Sequence, residues 1–113
     1  MSSQFSKSER SKLRNLAAEA HEYELAEAMS DLHDKFGSWA DKQISVFELN
    51  DELHKFHDGV SRDLYKLYVL SKPELAVAVA ISRHVLTNDE VGSGIMEKLE
   101  PLVMSLGTLN EAT

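Results

Sequence analysis

The sequence predicts an all-α protein: a helical bundle of two long antiparallel helices plus two shorter helices, the last kinked. Three observations carry that expectation. A helix-start signal recurs along the chain, apolar residues step by three and four through most of it, and 113 residues at 42% apolar and 27% charged suit one globular core. A single helical domain over residues 1–113 is expected, with 1–6 and 108–113 as loose ends.

The start signals share one form. Ile44-Ser45-Val46-Phe47-Glu48-Leu49, Leu70-Ser71-Lys72-Pro73-Glu74-Leu75 and Leu86-Thr87-Asn88-Asp89-Glu90-Val91 each place a hydroxyl three residues before a Glu, between two apolar residues. The hydroxyl accepts from the backbone N–H of the third helical residue, the Glu reaches back to the capping N–H, and the apolar pair closes over both. Phe5-Ser6-Lys7-Ser8-Glu9 repeats the box, but Arg10 stands where the second apolar residue belongs.

Helix 1 is predicted over Lys7 to about Phe36, on a stripe running from Leu13 and Leu16 through Met29 and Leu32 to Phe36. Gly37 is a candidate stop, although Trp39 and Ala40 continue the stripe. Helix 2 follows Ser45. Val46, Leu49, Leu53, Phe56, Val60, Leu64 and Leu67 keep phase across Asp58-Gly59, which favours one rod to about Leu70 over a turn at Gly59. A close helix–helix approach would explain a glycine there. Helix 3 is boxed by Ser71 and Glu74, carries Pro73 in its first turn, and reads Leu-Ala-Val-Ala-Val-Ala-Ile over 75–81. Its apolar surface all round implies central burial up to about Val85-Leu86. The last segment opens at Thr87, is interrupted at Gly92-Ser93-Gly94, resumes on Ile95, Leu99, Leu102, Val103 and Leu106 with a kink at Pro101, and stops at Gly107.

At 1.5 Å per residue, helices 1 and 2 would be about 45 Å and about 37 Å long, and the other two roughly half that. Two short helices do not cover two long ones end to end. A homodimer, or a bent or exposed hairpin, follows from the mismatch.

Net charge is −7, yet residues 1–14 carry Lys7, Arg10, Lys12 and Arg14 against Glu9 alone. The acidic remainder repels phosphate backbones, so nucleic acid is not expected as a partner. The basic start suits a solvated end, or contact with an acidic surface. Cysteine is absent, which removes disulfides, thiolate metal sites and cysteine nucleophiles. No apolar run approaches a membrane span and the start lacks a secretory h-region, so the expected location is cytoplasmic with no membrane partner.

The chemical candidate is a second row on helix 2: Phe47, Asn50, His54, His57, Ser61, Tyr65 and Tyr68, one step off the main stripe. His54 and His57 are three apart and converge, with Asp51 three residues before His54. Two imidazoles and a carboxylate suit a divalent transition metal, and a His near a Tyr suits proton transfer. Two histidines on one helix make at most half a site, and Glu-x-x-His, His-Glu-x-x-His, Gly-x-Ser-x-Gly and phosphate-loop patterns are all missing. The alternative role is a half-buried interface, with Phe47, Tyr65 and Tyr68 as contact residues and Trp39 beside them. His21 and His33 lie among the carboxylates of helix 1, and Arg83-His84 complement the dipole at the end of helix 3 or meet an anion. A small apolar ligand between helices 2 and 3 is a further possibility. The function expected from this balance is a protein–protein interaction or regulatory module that self-associates, as a homodimer, or with another protein. No cofactor is expected beyond the possible divalent metal, and an enzyme is not favoured.

Overall fold

The computed structural model describes residues 4–112, with side chains through Leu106. The elements are α1 (Lys7–Ala40), α2 (Val46–Phe56), α3 (Arg62–Tyr65), α4 (Pro73–Ser82), α5 (Asn88–Val91) and α6 (Ser93–Ala112), with π-helical turns at His57–Ser61 and Lys66–Leu70 flanking α3. No strand occurs among the described residues.

Three of the four boxes form with both hydrogen bonds, at Ser6–Glu9, Ser45–Glu48 and Thr87–Glu90. The box at Ser71 does not form. Lys72 precedes a proline, whose ring excludes the α region for its neighbour, and it adopts φ −63°, ψ 139°. Lys72 thereby becomes the N-cap of α4, Pro73 opens the helix, and Ser71 falls one residue too early. Its hydroxyl instead donates to the Lys66 carbonyl at 3.1 Å.

The first residues described are not loose. Phe5 is buried and Ser6 caps α1. Arg10, which spoils the apolar staple, replaces it by donating from Nη1 to the Phe5 carbonyl at 3.0 Å. Lys98 Nζ lies 5.6 Å above the Phe5 ring, bonds the Gln4 carbonyl at 3.0 Å and pairs with Glu9 at 2.7 Å. That contact holds the Glu9 carboxyl below its ordinary range, with the Ser6 backbone bond helping. At the other end, α6 passes the expected stop at Gly107 and reaches Ala112, while Pro101 sits inside it with no N–H for the Glu97 carbonyl.

α1 runs through Gly37. It ends in a Schellman pattern: Gln43 N–H donates to the Ser38 carbonyl at 2.8 Å and Lys42 N–H to the Trp39 carbonyl at 3.0 Å. The left-handed position of this motif, usually glycine, is Lys42 at φ 62°. α4 ends the same way earlier than expected, with Val85 bonded to Ala80, His84 bonded to Ile81, and His84 at φ 62°.

The helical backbone does not reverse at Gly59. Phe56, Ser61 and Tyr65 are all right-handed helical at the junctions. The stretch from Val46 to Leu70 is nonetheless no uniform rod, because the two π turns each break the α-period. No atom lies within 4 Å of where a Gly59 Cβ would stand, so close helix approach does not explain that glycine.

The core gathers Leu13, Leu16, Ala17 and Ala20 of α1 with Leu64, Tyr68, the α4 residues Ala76, Val77, Ala80 and Ile81, and Leu86, Val91, Ile95 and Leu99. Helix α4 buries Ala76, Val77, Ala78, Ala80 and Ile81 but leaves Leu75 exposed and Val79 half-buried, so its burial is central without being complete all round. Beyond Ala20, α1 has no buried residue. The molecule therefore consists of a packed base and an arm made of the rest of α1 with the 44–63 region. Its longest dimension is 54 Å and its radius of gyration 17.3 Å, against about 13 Å for a compact domain of this length.

The glycines separate into two kinds, which gives two expectations. Gly92 joins α5 to α6 at φ +92°, with Lys12 Nζ 3.1 Å from the position of an added Cβ. With ψ at 148°, a backbone region all but reserved for glycine, Gly92→Ala should cost about 1–3 kcal/mol in urea unfolding. Gly37 and Gly59 lie in helical backbone with open space around them. Gly37→Ala and Gly59→Ala should each raise stability by about 0.5–1 kcal/mol in the same assay. A stabilised Gly92→Ala or a destabilised Gly37→Ala would contradict this division.

Candidate functional site

The arm is where chemistry-bearing and apolar side chains are left open. Beyond Ala20, Leu25, Ala28 and Leu32 of α1 turn toward the second helical stretch, and Leu49 is the one buried residue of α2. A pair of helices covers only one stripe on each, so the flanks of the stripes stay in water. Met29, Phe36 and Trp39 on α1, and Val46, Leu53 and Val60 on the second helical stretch, are all more than a third exposed. A groove between Ala28, Leu32, Phe56 and Val60 is edged by Asp31, Lys35, Glu52 and Lys55.

The polar row of the sequence reading is divided by the π turns. Phe47 is 79% exposed and Tyr65 49%, whereas Tyr68 is 7% exposed and belongs to the core. Each π turn closes on the fifth residue instead of the fourth, which rotates later side chains away from the row. His57, Asp58, Ser61, Arg62 and Tyr65 line a shallow dimple on the surface of the first π turn. Asp51, His54 and His57 are exposed, and among the described residues no three His, Asp or Glu side chains gather as a metal site. The structure brings no third ligand from α1 to the two imidazoles. Trp39 lies in the last turn of α1, close to the chain reversal that leads to α2.

A polar cluster that the sequence did not announce sits at the root of the arm. The Tyr68 hydroxyl donates to Glu24 Oε2, and Arg83 Nη1 reaches Glu24 Oε1 at 3.2 Å and Oε2 at 3.3 Å. The His21 ring stacks on Tyr68 with centroids 5.5 Å apart. Helix α1 supplies Glu24 and His21, the second π turn supplies Tyr68, and the C-cap of α4 supplies Arg83. Burial first, and the Glu24 carboxylate second, push the Tyr68 phenol far above its usual range. The three partners are 44 and 59 residues apart, so no local pattern announces them. Arg83, read from sequence as a dipole partner, serves here as the cation of Glu24. The cluster ties the end of the packed base to the first turn of the arm. It lines none of the pockets or grooves described, so its chemistry is structural in place and polar in kind.

The chain matches no protein family, no curated protein and no solved structure. No described helix is long and apolar enough to cross a membrane.

Removing the Tyr68 hydroxyl tests the root cluster. Tyr68→Phe should cost about 1.5 kcal/mol, because the bond it loses is to a carboxylate that is largely out of water. The raised phenol also fixes a sign. A folded-state ionisation above the ordinary value of 10.0 gives stability that is complete below that pH and is lost as pH rises above it. Alkaline absorbance titration of the native protein should show a late phenolate step that Tyr68→Phe lacks. An unchanged titration would contradict the assignment.

Proposed function

We propose that this chain is a protein–protein interaction module that self-associates through its arm, two copies packing their open apolar flanks together as a homodimer. In this reading α1 and the helical stretch from Val46 to Leu70 act as two antiparallel rods, and the partner copy supplies the layer that α4 and α6 are too short to provide. The observation that carries it is the run of α1 beyond Ala20. Past Leu25, which still packs against the core, about 22 Å of α1 runs on with Met29, Phe36 and Trp39 partly in water. Several large apolar side chains left open on one arm are the kind of surface that association covers. The cysteine-free composition suits a cytoplasmic setting for such a module.

Charge shapes this association. Residues 21–63 hold eleven carboxylates against Lys35, Lys42, Lys55 and Arg62, which equals the whole chain's −7. Two arms brought together repel at long range and attract at contact. Salt screens the first and leaves the second. Self-association is therefore strengthened by salt, whereas docking onto a basic partner would be weakened by it.

Light scattering on gel-filtered protein, from micromolar to millimolar concentration, tests the proposal. A dimer mass that grows with concentration and with added salt is expected. The single tryptophan, Trp39, is a built-in reporter, and its emission should shift to the blue as the dimer forms. Met29→Glu and Val46→Glu, at exposed positions, should keep the helical circular dichroism and lose the dimer. A monomer at every concentration and salt would end the reading.

A further inference from the structure

The base carries a second surface of different character. Where α4, α5 and α6 meet, a groove has an apolar floor of Ile81, Met96 and Val103, and a rim that includes Asp89, Glu97 and Glu100. No Lys, Arg or His lines it. That separates it from the arm groove, where Lys35 and Lys55 stand among the carboxylates. The rim is also exposed: Asp89, Glu97 and Glu100 all face water, while Ile81 is buried and Met96 and Val103 are half-buried against the core. Glu97 and Glu100 are three apart on α6, on adjacent positions of one helix face.

We infer that this groove docks a cationic amphipathic helix of a partner protein, with its apolar face on Ile81, Met96 and Val103 and its Lys or Arg residues against Asp89, Glu97 and Glu100. The chemistry selects that occupant in two steps. An apolar floor in an open groove takes one stripe of a helix, read at three-and-four spacing. Three carboxylates along its edge, with the cation Lys12 Nζ standing beside Gly92, favour the opposite sign beside that stripe and penalise an acidic one. A methionine in the floor adapts to side chains of different shape, which suits a groove that reads an amphipathic stripe. The chain's own basic segment does not meet this description. Lys7, Arg10, Lys12 and Arg14 are exposed, but Phe5, Leu13 and Leu16 beside them are buried in the core, so this segment of a second copy offers cations without an apolar stripe, and its arm offers apolar side chains on a net −7.

The experiment uses the full chain and a labelled amphipathic helix of Leu and Lys as probe, followed by fluorescence anisotropy. A Leu/Glu peptide of the same pattern and a scrambled Leu/Lys peptide serve as controls. The patterned Leu/Lys peptide should bind, more weakly as salt rises, and neither control should match it. Glu97→Gln with Glu100→Gln should weaken binding about tenfold, since two exposed charge contacts are removed. Asp51→Asn with Asp58→Asn, on the arm, should leave it unchanged. The inference falls if the Leu/Lys peptide fails to bind, if the scrambled peptide binds equally, or if the arm substitutions weaken binding as much as the groove substitutions do. It also falls if Glu97→Gln with Glu100→Gln abolishes the dimer seen by light scattering and spares the peptide, because the groove would then belong to an interface between copies. The arm proposal fails independently, on a monomeric mass.

Discussion

The reach of the hydrophobic core along α1 is the constraint on which the rest of the structure depends. Leu13, Leu16, Ala17 and Ala20 are the buried positions of α1 in the core, and Glu24 and Leu25 are the last that still touch it. Past that point two helical stretches face each other alone. Hydrophobic burial scales with area removed from water, and a two-layer pair removes only one stripe per helix. The exposed Met29, Phe36, Trp39, Leu53 and Val60 are therefore consequences of topology more than of individual residue choice. On α1 the apolar positions move round the helix between Ala20 and Leu25, so Met29 and Phe36 project from a different face than Leu13, Leu16 and Ala20 do.

The boundary between base and arm is polar. Glu24 would be costly to leave unpaired so close to the core, and it receives both the Tyr68 hydroxyl and the Arg83 guanidinium. His21 closes the cluster by stacking on the Tyr68 ring. The charge of the molecule changes across this line: the arm holds a net −7, and the N-terminal turns of α1 hold half of the Lys and Arg residues that lie outside it. In the proposed dimer, attraction between arms at contact range would coexist with repulsion at longer range. The acidic groove on the base is a separate electrostatic feature, formed by α5 and α6 and not by the arm.

Local signals in the sequence fared well where one helix end decides the outcome, and poorly where a neighbour does. The boxes at Ser6, Ser45 and Thr87 form because nothing near them constrains the backbone. Ser71 has the same spacing, but Pro73 dictates the conformation of Lys72 and shifts the helix start by a residue. The end of α1 was ambiguous because glycine is the usual left-handed residue, whereas Lys42 occupies that position and Gly37 lies inside the helix. The π turns are invisible to a three-and-four count, since one inserted residue leaves the apolar spacing plausible on either side. That is why Tyr65 and Tyr68 read as neighbours on one face and separate in space. The Glu24 cluster joins residues from three elements distant in sequence, and no periodicity encodes such a meeting.

An arm with one buried residue in α2 and none in α1 beyond Ala20 has a kinetic consequence. Local opening requires only the contacts that opening exposes, and here those are few. The arm and the base are then separate cooperative units. Backbone amides between Ala26 and Asp63 should exchange with solvent through openings that leave α4 and α6 intact, whereas amides of Ala76 to Ile81 should exchange only when the whole chain unfolds. Anything that covers the arm slows the first class of amides and leaves the second class as it was.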